Sequence, residues 1–172
     1  MALLGWATLA WQADYGQFYL VDREDTSFLP PEIITPEMEA RRFFVPEGGL
    51  VVYTEGSLHQ HIRIHIHDAV PDAGALEPMS GKPWTQVETV TTRFPSRSFS
   101  ISSPSMPDPL PCGPAFFLDG STVSVRISWK EFQGSRDESV PVEPDVIEIA
   151  LWPAEQRFTA ADTAGSHRGT DQ

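Results

Sequence analysis

The sequence predicts an all-β fold, an antiparallel β-sandwich of about nine strands, on three observations. Sixteen prolines in 172 residues, roughly twice the average usage of about 5%, cut the chain into short pieces at Pro30-Pro31, Pro36, Pro46, Pro71, Pro78, Pro83, Pro104 to Pro114, and Pro141 to Pro144. Between the cuts lie nine segments rich in β-branched and aromatic residues. One stretch alone carries helix signals, so nothing is left to cover the faces of a parallel sheet, and the strands must pack sheet on sheet.

The segments run in order as 4–12, 15–22, 49–55, 58–68, 84–94, 97–103, 115–119, 121–131 and 145–152. Alternation is clearest in the eighth, where Val123, Val125, Ile127 and Trp129 share one face and Ser124, Arg126, Ser128 and Lys130 the other, the pattern of a half-buried strand. Ile62, Ile64 and Ile66 form an apolar face in the fourth, and Ile147, Ile149 and Leu151 repeat the pattern near the C-terminus. The helical candidate is Pro36 to Arg42, with Thr35 as N-cap and proline at the first helical position. No repeat of fixed period is visible, which argues against propellers and solenoids. After Trp152 the composition turns to Ala, Thr, Asp and Gly; one domain over 1–159 and a flexible tail over 160–172 are expected.

Ten Phe, five Trp and three Tyr within a 40% apolar composition suffice for one core at this length. Twelve Lys+Arg against 24 Asp+Glu give a formal charge of −12, a surface that repels phosphate backbones and raises encounter rates with basic proteins. Nucleic acid is therefore excluded as a partner and a basic protein favoured. Acids concentrate at the two ends: eight between Asp14 and Glu47, and nine from Glu131 onward. Met1 to Trp11 is apolar but has no basic start, and Asp14 ends it too early for a signal peptide or membrane span. The expectation is a cytoplasmic protein without membrane insertion.

The run His59-Gln60-His61-Ile62-Arg63-Ile64-His65-Ile66-His67 puts four histidines and Arg63 on one strand face. Two His-x-His pairs can begin a metal site, since neutral imidazole is a common transition-metal ligand. Arg63 stands between the pairs, however, and no further ligand is identifiable; an exposed polar face and a partner-binding surface are the other readings. Cys112 is the single cysteine, so intrachain disulfides are excluded, and no neighbouring histidine pattern makes it a nucleophile. Gly-rich phosphate loops, nucleophile elbows and zincin helices are absent from the sequence. Glu24-Asp25 and Asp137-Glu138 sit in turn-like contexts where solvated charge is the default. Neither catalysis nor a cofactor is expected.

Tyr15-Gly16-Gln17-Phe18, then Gly49-Leu50-Val51-Val52-Tyr53-Thr54, then the strand Gln60 to His67 follow one another with a characteristic spacing. Val87 to Phe94, Phe99 to Ser103, and Phe116-Phe117-Leu118-Asp119-Gly120 leading into Val123 to Trp129 complete the order. Over about 130 residues this order resembles the competence protein J family, inhibitors of a bacterial nuclease of DNA uptake. The resemblance implies a non-enzymatic acidic β-sandwich that binds a protein, in agreement with the charge.

The expected contact residues for a basic partner such as a nuclease are Asp22, Glu24, Asp25, Glu37, Glu39, Asp137, Glu138, Glu143 and Asp145. The alternative is a metal-binding sandwich, or metal-dependent enzyme, built on His59, His61, His65 and His67. A third reading is an oligomerising domain that uses exposed β edges and aromatics such as Trp11 or Trp152.

Overall fold

In the computed structural model, the described residues are 1–54, 59–72, 83–105, 114–131 and 145–154. They form ten strands and one short helix: β1 (Leu3–Gln12), β2 (Gln17–Asp22), α1 (Pro36–Arg41), β3 (Phe43–Phe44), β4 (Gly49–Tyr53), β5 (His59–His67), β6 (Gln86–Arg93), β7 (Ser98–Ser102), β8 (Ala115–Phe117), β9 (Thr122–Lys130) and β10 (Asp145–Pro153). One sheet, A, has the order β1-β5-β10-β9-β6, and the other, B, β3-β4-β2-β7-β8. The all-β expectation holds, with two corrections. The tenth strand, β3, is two residues long, too short to show a period-two pattern. One pairing, β10 with β5, is parallel; the chain between them, from Asp68 to Pro144, is long enough for the crossover that a parallel pair requires.

The apolar faces read from the sequence are the buried ones. Ile62, Ile64 and Ile66 stand in register beside Ile147, Ile149 and Leu151, which in turn face Trp129, Ile127 and Val125. This three-strand apolar ladder shares one core with Phe18 and Leu20 of β2, Leu50 and Val52 of β4, and Phe99 and Ile101 of β7. Phe94, Phe99 and Phe116 stack through that core at centroid distances of 5.1 and 4.9 Å. Among the described residues, two polar links tie the sheets together: the Trp129 indole N–H donates to the Tyr53 carbonyl at 3.0 Å, and the Thr92 hydroxyl donates to the Gly49 carbonyl at 2.6 Å. Both satisfy carbonyls at the core boundary, where an unpaired acceptor would be costly.

The chain changes sheet between β1 and β2 through Tyr15 and Gly16, whose φ angles of 52° and 67° form a tight turn closed by Gln17 N–H on the Asp14 carbonyl at 3.1 Å. Helix α1 starts as its sequence dictates: the Thr35 hydroxyl accepts the Met38 N–H at 3.3 Å, with Pro36 at the first helical position. It stops at Arg42, which turns left-handed at φ 62° and returns its N–H to the Met38 carbonyl. Among the described residues, no helix is long and apolar enough to cross a membrane. The expected tail over 160–172 lies outside the described residues.

Candidate functional site

Residues 23–42, between β2 and α1 and through the helix, form a strap laid over the outer face of sheet B. Phe28 and Met38 anchor it on Tyr19, Val21, Val51 and Tyr53, the four side chains that alternate with the core residues of β2 and β4. Tyr19 and Phe28 meet at 5.3 Å between ring centroids. Gly49 makes this approach possible, since a Cβ there would come within 2.5 Å of both the Phe28 ring and the Leu20 carbonyl. The strap presents outward Glu24, Glu32, Glu37 and Glu39, with Asp25 half-buried. Two of these glutamates belong to α1, whose first turn favours negative charge.

Four expected contact residues, Glu24, Asp25, Glu37 and Glu39, therefore share one segment. Glu32 is exposed on the same segment and was not among the expected residues, although it sits between Pro31 and Ile33 in the same acidic stretch. Asp145 is apart, at the start of β10 in sheet A. Asp137, Glu138 and Glu143 lie outside the described residues.

Asp22 corrects the expectation. Its carboxylate is 1% exposed and accepts the N–H groups of Glu24 at 2.9 Å, Asp25 at 2.8 Å and Ser96 at 2.8 Å. Burial by itself would raise its pKa, but these donors hold it below the ordinary carboxylate value. It closes the turn that launches the strap and is turned inward, away from the exposed surface. Asp22→Ala is expected to destabilise the fold by about 2 kcal/mol, by stranding three N–H donors. Because a depressed carboxyl pKa stabilises only while the group is ionised, this contribution is present above the unfolded-state value and fades as pH falls through the folded-state value. Urea denaturation of both chains at pH 7 and pH 3 measures the difference.

The histidine strand has a second surprise. Its polar face is not an open one: His67 is buried, while His61, Arg63 and His65 are half-buried. Neighbouring β10 is buried on both faces, which places Glu148 beside Arg63 in register with only 3% exposure. One Glu148 oxygen lies 3.9 Å from the Arg63 guanidinium and 3.8 Å from His65 Nδ1. Across β9, Ser128 is opposite Glu148 and Arg126 opposite Ala150. Arg126 lies over the Trp152 ring at 5.9 Å and donates to the Pro71 carbonyl at 3.4 Å, so the chain following β5 helps cover this face.

Burial raises the Glu148 pKa to about 7, with Arg63 and Arg126 pulling the other way. Burial also lowers His65, assisted by His67 and Arg63, and lowers His67, assisted by Arg126. At 3.8 Å the His65 contact is too long for a hydrogen bond, and desolvation governs both groups. Among the described residues, Glu148 Oε1, Arg126 Nε and both ring nitrogens of His67 have no hydrogen-bond partner. His65 and His67 rings meet edge to face at 6.2 Å. Among the described residues, no three His, Cys, Asp or Glu side chains are grouped to hold a metal ion; the His59 side chain is not among those described. Glu148 was missed as a member of this face. Its signal was a lone acid inside Val146-Ile147-Glu148-Ile149-Ala150, on the face opposite the isoleucines.

No protein-family model matches the chain, and no curated protein matches it. Two solved structures share its fold. ComJ of Bacillus subtilis, an inhibitor of the DNA-degrading activity of NucA, superimposes with a TM-score of 0.65 at 12% identity, over 90% of this chain and all of ComJ. The product of crocagin biosynthetic gene J superimposes with a TM-score of 0.56 at 15% identity, over 89% of this chain and 99% of its own. At these identities the likeness is one of fold, with the full span of both structures covered.

Proposed function

We propose that this chain is a non-enzymatic, acidic two-layer β-sandwich that binds a basic protein and restrains it, a nuclease being the partner class. The observation that carries the reading is the strap over sheet B, which displays Glu24, Glu32, Glu37 and Glu39 on a molecule of formal charge −12. A carboxylate surface of this kind competes with nucleic acid for the same basic cleft, because both present arrays of negative charge. The fold shared with ComJ supports the choice of a nuclease.

The test is inhibition of DNA degradation by NucA and by two basic endonucleases, with binding followed calorimetrically. Inhibition of at least one is expected, weakened by tenfold or more in the variant Glu37→Lys/Glu39→Lys. Affinity should also fall steeply with salt, since exposed charges act over only about 8 Å at physiological ionic strength. Failure to inhibit any of the three removes the inhibitor reading. Inhibition that the charge reversal leaves unchanged removes the strap as its surface.

A further inference from the structure

We propose that β1 is a homodimerisation edge, pairing antiparallel with the β1 of a second copy to join two A sheets into one. Among the described residues, strand β1 hydrogen-bonds to β5 on one side only and forms the outer edge of sheet A. Its outward backbone groups are a template for a further strand. Soluble proteins blunt such edges with charge, proline or brevity, and the other described edges follow that rule. Strand β6 carries Glu88 and Arg93, β3 has two residues and β8 has three. Strand β1 has ten residues, and from Met1 to Ala13 there is no Asp, Glu, Lys, Arg or Pro side chain. One irregularity, between Leu3 and Gly5, leaves the stretch from Gly5 to Gln12 in regular register.

The side chains agree with the backbone. Trp6 is 69% exposed and Leu4 52%, and Thr8 and Ala10 continue the exposed face, while Ala7, Leu9 and Trp11 turn inward to the core. An exposed tryptophan on an uncharged edge of a strongly acidic molecule calls for cover by something uncharged. Charge selects a second copy. A basic partner would be drawn to the acidic strap on sheet B, whereas two copies of a −12 chain repel except where their facing surfaces are neutral, and β1 is such a surface. A two-fold axis perpendicular to the sheet keeps Trp6 of both copies on the same face and makes the contact isologous, hence closed at two copies. An interface of one strand pair is at the small end of stable ones, below about 1,200 Å² in total, so dissociation in the micromolar range is expected.

Sedimentation velocity of the full chain from about 1 to about 200 µM is the experiment. A reversible shift from 19.1 kDa to twice that mass is expected. Trp6→Lys and, separately, Thr8→Lys should weaken association by tenfold or more, both being exposed positions that leave the core intact. Phe117→Lys, at an equally exposed position on β8 of the other sheet, should leave it unchanged. A monomer throughout overturns the proposal and gives the edge to a strand from another protein. Association that ignores Trp6→Lys and Thr8→Lys, that Phe117→Lys also abolishes, or that proceeds beyond two copies, overturns it as well. Inhibition of a nuclease is read in a separate assay, so the two proposals fail independently.

Discussion

Trp129→Ala is expected to lower the free energy of unfolding by about 3–5 kcal/mol, the range for removing a large aromatic side chain from a packed core. Trp129 is fully buried within the core shared by both sheets. Its ring is flanked by the Arg42 guanidinium at 5.3 Å, itself paired with Glu131. The substitution opens a cavity and removes the donor from the Tyr53 carbonyl, so two unfavourable effects act together. Trp129→Phe separates them: it retains most of the volume and should cost about 1–2 kcal/mol, chiefly for the lost N–H. Urea denaturation of the three chains gives both numbers. A loss below about 1 kcal/mol for the alanine variant would show that the sheets are not held together at this point.

Glu148→Gln is expected to change the pH dependence of stability more than any other single substitution at the candidate sites. In the unfolded chain Glu148 titrates near the ordinary 4.5, and in the folded chain at about 7. Between those values the folded protein keeps a proton that the unfolded chain has released. The carboxyl therefore contributes most stability below about pH 4.5, and this contribution declines as pH rises through 7, by about 3 kcal/mol in all. Glutamine has no such titration. Unfolding free energy of wild type minus that of the variant should accordingly fall by about 3 kcal/mol from pH 4.5 to pH 8. His65 and His67 act in the opposite sense. Their pKa values are lowered on folding, so their contribution is lost as pH falls below about 6.5, but both chains carry it. A difference that stays constant across this range would mean that Glu148 is solvated and ionised like a surface carboxylate.

Alternation was the legible part of this chain. Val123, Val125, Ile127 and Trp129, with the isoleucines of β5 and β10, announced their buried face because a strand sends neighbouring side chains to opposite sides whatever it packs against. The same is true of α1, whose start depends on Thr35 and Pro36 and on nothing remote. Strand β3 escaped notice because two phenylalanines have no period; they are a strand only because β4 is beside them.

The candidate sites divide along the same line. Acidity from Asp14 to Glu47 is a property of the sequence, and so is the charge-free stretch from Met1 to Ala13 that ends as an exposed edge. Only the tertiary structure turned Asp22 inward to three N–H donors while leaving Glu24, Glu37 and Glu39 outside. Likewise, Glu148 is an acid on the polar face of its strand by sequence, but its raised pKa exists because β10 is a central strand and the chain around Pro71 crosses near Arg126. Periodicity determines which face of a strand is polar. Whether that face meets water depends on strand order and on the loops that fold back over it, and those follow from contacts between residues far apart in the chain.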